Sequence, residues 1–449
     1  MVPENLAGKR VLVLGLGRFG GGIGVSRFLV GEGARVTVTD LGEEAGLAES
    51  LSQLQGLPIT FHLGGHQEQD FLESDLVVVN PAVKRNSPWL ELARKNRIPL
   101  TAEMNLFFER CPAAIVAITG SNGKSTTTAM TRAVLEAGAG GKAGRKYNRV
   151  WLGGNIGKDN LLSEVKEIQA EDVVVLELSS FQLYDLGQIR RSPHVAILTN
   201  ITPNHLDWHG TMDEYVRAKQ NILRYQGKED FAVFNRLDPC FREWQKCTPG
   251  QVRWYPAEPM EELKLKVPGR HNQVNAAAAL AAGEIFGVDP QAARQALARY
   301  ESLPHRLELV REFEGVRYYN DSIATTPESV IVAIESFPEK KVIILGGYDK
   351  KIPFDELVDK VVGQVEAVIL IGQVREKLFE LISRRKQSRQ ESRPVCEFAD
   401  TLEQAVHLAR KLAQPGSSVL LSPACASYDM FKNFQQRGNL FREYVEKLA

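Results

Sequence analysis

The chain has few cysteines. The five, Cys111, Cys240, Cys247, Cys396 and Cys425, form neither a C-x-x-C pair nor a zinc-type spacing. That excludes a disulfide scaffold and a thiolate metal site as organising features. Net charge is also missing, because 55 Lys and Arg balance 55 Asp and Glu. The positive field that nucleic acid or an anionic membrane surface would select is therefore absent. Long apolar runs are lacking too: the stretch around 276–282 is alanine-rich and too short to cross a bilayer. The opening Met1-Val-Pro-Glu-Asn5 has neither the basic nor the apolar region of a signal peptide. No internal repeat stands out. These absences leave the cytoplasm as the expected location, with neither nucleic acid nor membrane as a partner; a monomer is a separate expectation that they do not bear on.

What is present is an ordinary globular composition, 43% apolar and 24% charged, in 449 residues. At roughly 100–200 residues per domain, that length suggests about three domains. Continuous β-branched runs at 11–14, 36–39, 76–79, 115–119, 173–178, 196–199, 342–345, 367–371 and 419–421 alternate with segments of helical period. Runs of this kind are buried on both faces of a parallel sheet, so the class is α/β. Breaks at Arg110-Cys111-Pro112 and Leu303-Pro304-His305 divide the chain into 1–110, 111–303 and 304–449. The basic stretch 384–393 is polar and aperiodic, and reads as a solvated loop.

The strand 115–119 runs into Gly120, Ser121, Asn122, Gly123, Lys124, Ser125 and Thr126, followed by a helix expected from about Thr127. Strand, glycine loop and helix in that order make a phosphate-binding loop. Backbone amides and the helix terminus attract phosphate, Lys124 reaches the terminal phosphates and Ser125 can ligate magnesium. The first glycine of the longer motif falls at Ile118, so the loop is a shortened variant. The duller reading is a glycine turn with a surface lysine.

A second glycine loop, Gly15-Leu-Gly17-Arg18-Phe19-Gly20, follows the first strand, and Asp40 ends the next one. By itself this G-x-G-x-x-G motif reads as a dinucleotide site with Asp40 on a ribose hydroxyl. An NAD-dependent dehydrogenase is thus one alternative. A uridine diphosphate sugar satisfies the same physics, and a plain tight turn is the third possibility. Glu177 and His205 follow adjacent strands beside the phosphate loop and suit magnesium; a core salt bridge and a turn cap are their duller roles. Lys219, on the helix predicted over 212–224, reads by itself as a solvated lysine.

Several strings resemble the Mur ligase family: Ile118–Thr126, Gly153-Gly-Asn155-Ile-Gly157, Glu177-Leu-Ser-Ser-Phe-Gln-Leu183 and Thr199-Asn-Ile-Thr-Pro-Asn-His205-Leu-Asp207. Gly269-Arg-His-Asn272-Gln-Val-Asn275, Leu303-Pro-His-Arg306 and the string from Leu421 through Ser427 and Phe434 to Gly438 extend the resemblance over nearly the whole chain. The resemblance implies three α/β domains: a Rossmann-like amino-terminal one, a central P-loop ATPase-type one and a carboxy-terminal Rossmann-like one. It implies ATP-driven addition of D-glutamate to UDP-N-acetylmuramoyl-L-alanine (UDP-MurNAc-L-Ala) through an acyl phosphate. Addition of another amino acid is the nearest alternative, and a non-catalytic nucleotide sensor on the same frame a more distant one.

By the same resemblance, Gly120 to Thr126 hold ATP phosphates, with Asn272, Arg306 and Asp321 on the nucleotide. Ser125, Glu177, His205 and a Lys219 carbamylated by carbon dioxide bind two Mg2+ ions. Lys124, Glu177, His205 and Lys219 form the catalytic set. Gly15, Gly17, Arg18, Phe19, Gly20, Asp40 and Asn155 take the UDP-substrate, and Thr325, Lys350, Ser427 and Phe434 take D-glutamate. One departure is Ile323, where many relatives carry lysine.

Overall fold

A computed structural model describes residues 5–17, 21–139, 147–156, 161–260 and 262–449. The described residues form three sheets. The first is all parallel, in the order Ile59–Leu63, Arg35–Asp40, Arg10–Leu14, Leu76–Val79, Leu100–Thr101. That is the order of a dinucleotide-binding half, with the first strand central.

The second sheet is parallel as well: Gln251–Tyr255, Phe231–Asn235, Val195–Leu198, Ala114–Thr119, Val173–Glu177, Val150–Gly154. Its register aligns the strand ends that matter. Ile118 and Gly154 both pair with Glu177, and Thr119 pairs with Leu198. The phosphate loop, Glu177 and the segment after Leu198 therefore leave the sheet on one line. In doubly wound sheets, ligands bind at that carboxyl edge, where strand order reverses.

The third sheet pairs Glu308–Phe313 antiparallel with Val316–Asn320, then runs parallel through Ser418–Leu421, Lys341–Gly346, Ala367–Ile371 and Val395–Phe398. Side-chain alternation divides its core cleanly. Ile343, Leu345, Val368, Leu370 and Leu420 pack on one face. Val342, Ile344, Ile369, Val419 and Leu421 pack on the other. Helices cover both faces, which is why these strands read as unbroken apolar runs.

The chain divides into two compact units, Met1–Glu261 with Val274–Ala296, and Glu262–Gln273 with Leu297–Ala449. The first holds two of the sheets and the second holds the third. Two expectations change in detail. The helix after the phosphate loop begins at Lys124, not near Thr127, because Gly123 at φ 79° turns the chain directly into it. The basic stretch is a loop only from 390 to 393: 384–389 ends the helix Arg375–Arg389, in which Arg385 and Arg389 pair with Asp359. Arg393 beyond it pairs with Glu366.

Candidate active site

The phosphate loop is shaped by two positions that exclude a side chain. Gly120 has φ 156°, and a Cβ there would collide with Thr199 Oγ1. Gly123 is left-handed, with Asn275 Oδ1 2.8 Å from where its Cβ would be. Both conformations favour glycine. The loop is laced to the segment after Leu198. Ser121 N donates to Asn200 O at 2.8 Å, Asn122 N to Asn200 Oδ1 at 2.9 Å and Thr202 N to Ser121 Oγ at 2.8 Å. Tyr215 OH lies 2.9 Å from Ser121 Oγ.

Three successive loop carbonyls, which would repel a phosphate, all have donors. Gly120 O accepts from Lys219 Nζ at 2.8 Å, and Ser121 O from Lys124 Nζ at 2.9 Å. Asn122 O accepts from Thr199 Oγ1 at 2.6 Å and Asn200 Nδ2 at 3.0 Å. With the carbonyls so engaged, the amino end of the helix Lys124–Gly138 adds its partial positive charge.

Lys219 is far from a solvated lysine. On the helix Met212–Arg224 it is 1% exposed, and Nζ also donates to Thr119 Oγ1 at 3.1 Å. Burial, reinforced by the like charge of Lys124 and opposed by Glu177, holds its pKa well below the usual lysine value. Glu177 ends its strand 5% exposed, with Oε2 buried and without a hydrogen-bond partner. An orphaned carboxylate oxygen is costly unless a cation or donor completes it. His205 takes a left-handed φ of 53° at the start of the short helix Leu206–His209. Its ring packs edge-on against Phe181, with centroids 5.0 Å apart.

Phe181 is placed by a capping box. Ser179 Oγ accepts from Gln182 N at 3.3 Å, while Ser179 N donates to Gln182 Oε1 at 2.9 Å. Asn155 N donates to Glu177 O at 3.0 Å. Lys124, Asn155, Glu177, His205 and Lys219 all line one cavity of about 320 Å3, which Phe181 and Tyr215 also line. Among the described residues, no three His, Cys, Asp or Glu side chains form a metal cage. Magnesium does not need one, since it binds through one or two carboxylates plus phosphates and water. The orphaned oxygen of Glu177 fits such an ion.

In the first sheet, Gly15 and Gly17 adopt φ 94° and 68°. Asp40 Oδ2 accepts from Leu16 N at 2.8 Å and Gly17 N at 3.0 Å, and Oδ1 from Gly42 N at 2.7 Å. Asp40 thus braces the glycine loop. Arg18, Phe19 and Gly20 lie outside the described residues.

The second unit carries the remaining candidates. Asn272 is buried and donates to Pro268 O at 2.6 Å; Arg306 N donates to Leu303 O at 3.1 Å. Asp321 accepts from Ser422 Oγ at 2.7 Å and Leu307 N at 3.2 Å, and burial pushes its pKa up to about 7. Lys350 Nζ lies 3.2 Å from Thr325 O and 3.3 Å from Thr325 Oγ1, its pKa lowered by burial. Arg437, fully buried, ties this region together. It donates to Ser322 Oγ, Ser322 O and Cys425 O at 3.0, 2.8 and 3.1 Å, while Ser322 Oγ donates to Phe434 O at 2.8 Å. Ser427 is 2% exposed in the same segment.

Sequence reasoning missed Tyr215, Phe181 and Arg437. Tyr215 had a signal: it precedes Lys219 by four residues, so both share one helix face.

Known proteins bear on this geometry. Residues 9–102 match the Mur ligase MurD-like N-terminal domain, 118–258 the Mur ligase middle domain and 305–425 the Mur ligase glutamate ligase domain. A Roseiflexus sp. (strain RS-1) protein named UDP-N-acetylmuramoylalanine--D-glutamate ligase is 41% identical, covering 99% of this chain and 100% of its own. An Acetivibrio thermocellus protein of the same name is 38% identical over 99% and 98%. Among solved structures, MurF ligase from Thermotoga maritima in complex with ADP superposes with a TM-score of 0.59 at 18% identity, covering 92% of this chain and 96% of that one. A pseudomurein peptide ligase type C from Methanothermus fervidus gives 0.56 at 17%, covering 98% and 100%. At that identity the two structures share the fold.

Proposed function

The chain belongs to the Mur ligase family, and from that premise we infer that it is an ATP-dependent ligase joining D-glutamate to UDP-MurNAc-L-Ala in peptidoglycan precursor synthesis. Full-length likeness to relatives named for that reaction supports the substrates. One observation carries the residue roles: Lys124, Glu177, His205 and Lys219 converge on one cavity at the carboxyl edge of the central sheet.

The chemical difficulty is that a carboxylate is a poor acylating agent, because oxide leaves badly. The free carboxylate of UDP-MurNAc-L-Ala takes the γ-phosphoryl group of ATP, forming an O–P bond as the bond to ADP breaks. The amine of D-glutamate then attacks the acyl carbon, a proton leaves the nitrogen, and phosphate departs with its electron pair. The protein's part is alignment and charge neutralisation.

In this reading Gly120 to Thr126 bind the ATP phosphates, and Lys124 turns from Ser121 O to the terminal phosphates. Asn272, Arg306 and Asp321 serve the nucleotide; Asn155, Gly15, Gly17, Asp40 and the stretch 18–20 serve the UDP-substrate. Ser125, Glu177, His205 and a carbamylated Lys219 would hold two magnesium ions. These would neutralise charge on the transferring phosphoryl group and the acyl oxygen. A lysine stripped of solvent is suited to carbamylation, because only the neutral amine adds to carbon dioxide. An N–C bond forms, the nitrogen loses a proton, and a cation becomes an anion.

Lys350 supplies the fixed cation for dianionic D-glutamate, and Thr325, Ser427 and the backbone at Phe434 supply orientation. With divisions at 110/111 and 303/304, the nucleotide residues Arg306 and Asp321 come from the third segment and the UDP-substrate residue Asn155 from the second, so the tasks are shared across segments. A cytoplasmic monomer suits the substrates; among the described residues, no helix is long and apolar enough to cross a membrane.

Phosphate release from ATP, measured against a panel of amino acids with UDP-MurNAc-L-Ala present, tests the reading. D-Glutamate is expected to promote release strongly. Equal turnover with L-lysine or diaminopimelate overturns the specificity.

A further inference from the structure

The segment 80–87 leaves the carboxyl end of a strand in the first sheet and reaches the central one. It is a tightly turned loop: Val83 N donates to Asn80 O and Ser87 N to Lys84 O, both at 3.0 Å, and Ala82 N to Asn80 Oδ1 at 3.0 Å. Its first residues already serve the site. Asn80 Nδ2 lies 3.3 Å from Gly15 O, beneath the glycine loop, and Pro81 lines the cavity that holds Lys124 and Glu177.

Arg85, at the far end of the loop, is sandwiched between two aromatic rings. Its Cζ lies 3.4 Å from the centre of Tyr184 and 3.9 Å from that of Trp208. Nε and Nη2 are buried without hydrogen-bond partners, as is Trp208 Nε1. A guanidinium held by ring faces and not by acceptors is a stacking contact, strongest where water is excluded. Asp185 and Glu214 provide its nearby opposite charge.

The two rings are also joined to the site. Trp208 packs on Phe181, with centroids 4.6 Å apart, and Phe181 packs on His205. Phe181 and Tyr184 are three residues apart on one helix, as are His205 and Trp208 in sequence. A continuous path therefore runs from the loop through Arg85, Trp208 and Phe181 to His205.

We propose that Arg85 is a positioning residue, a stacked cation that clamps the loop 80–87 of the first sheet onto the Trp208–Phe181–His205 stack and so sets the UDP-substrate's reacting end against the phosphate loop. The clamp deepens the proposed function and rests on its placing of the UDP-substrate on the first sheet.

The test compares Arg85→Ala and Arg85→Lys with the parent enzyme in steady-state kinetics for all three substrates, thermal unfolding and hydrogen exchange over 80–87. Arg85→Ala is expected to raise KM for UDP-MurNAc-L-Ala about tenfold, roughly 1.4 kcal/mol. KM for ATP and D-glutamate should stay within about twofold, Tm should hold, and exchange over 80–87 should quicken. Arg85→Lys, which keeps the cation but not the flat stacking face, should recover only part of the KM and of the protection. An unchanged KM for the UDP-substrate, or a parallel rise in all three KM values with a fall in Tm, overturns the proposal. If the parent enzyme does not use UDP-MurNAc-L-Ala, the functional reading fails, while the exchange comparison still judges the clamp: unaltered exchange in Arg85→Ala overturns it.

Discussion

Lys219 Nζ lies 2.8 Å from the carbonyl oxygen of Gly120, so a fully buried lysine grips the back of the phosphate loop. Its helix and its loop belong to different elements of the central sheet, and the contact gives the side chain a fixed address beside Glu177.

Lys219→Ala is expected to lower kcat by at least about a thousandfold, on the scale of removing a group that neutralises transition-state charge. Small carboxylic acids with bicarbonate should restore part of it, because an anion then fills the vacated space. Initial rates with and without acetate and bicarbonate check this; full activity in the variant removes the carbamate from the mechanism. Because burial lowers the pKa of Lys219, its neutral form grows in at a lower pH than that of an ordinary lysine. Labelled bicarbonate should therefore yield a carbamate carbon signal in the parent protein at neutral pH, absent from the variant.

Glu177→Gln keeps the shape of the side chain and removes its charge. The orphaned Oε2 becomes part of an amide, and the apparent Mg2+ requirement should rise roughly 10–100-fold with a fall in kcat. Magnesium titration at saturating ATP measures it.

Lys350→Met should raise KM for D-glutamate by about 30-fold, corresponding to the loss of a charged hydrogen bond of ~2 kcal/mol. KM for ATP and for UDP-MurNAc-L-Ala should be nearly unchanged. Kinetics with each substrate varied in turn would expose a uniform loss, which would mean Lys350 is structural.

Asp321 links stability to pH. Burial raises its pKa from 3.8 to about 7, so between those values the folded state binds a proton that the unfolded state releases. Its contribution is fully present below 3.8 and is lost as pH rises through about 7. Asp321→Asn lacks that titration. The Tm of the parent relative to the variant should fall as pH goes from about 4 to 8. A pH-independent difference would show that Asp321 does not titrate there.

Arg437→Leu removes a buried cation that holds carbonyls of Ser322 and Cys425. Leaving those acceptors unpaired should cost about 3–5 kcal/mol, readable as a lower denaturant midpoint.

Much of the fold was legible because its central strands are buried on both faces. The half-exposed edge strands Ile59–Leu63, Gln251–Tyr255 and Glu308–Phe313 present no continuous apolar run and escaped notice. The carboxyl end of the helix Arg375–Arg389, from 384 on, passed for a loop because its buried residues, Leu378 and Ile382, lie upstream and 384–389 is charged or polar. In the site, Lys124 announced itself by closing a glycine loop after one strand, and Glu177 by ending another. The burial of Lys219 is a tertiary fact, made by Thr119 and Gly120 a hundred residues away. Arg85 was invisible for the same reason, since its partners are rings on the helices Ser180–Ile189 and Leu206–His209.

The inward-turned carbonyls of Gly120, Ser121 and Asn122 have a consequence for inhibitor chemistry. Their preferred partners are already supplied by Lys219, Lys124, Thr199 and Asn200. A compound lodged at the loop must therefore offer oxygen or other electron-rich acceptors. Scaffolds that lead with N–H groups find these three carbonyls already engaged and have to look beyond the loop for an acceptor, as at Glu177 Oε2.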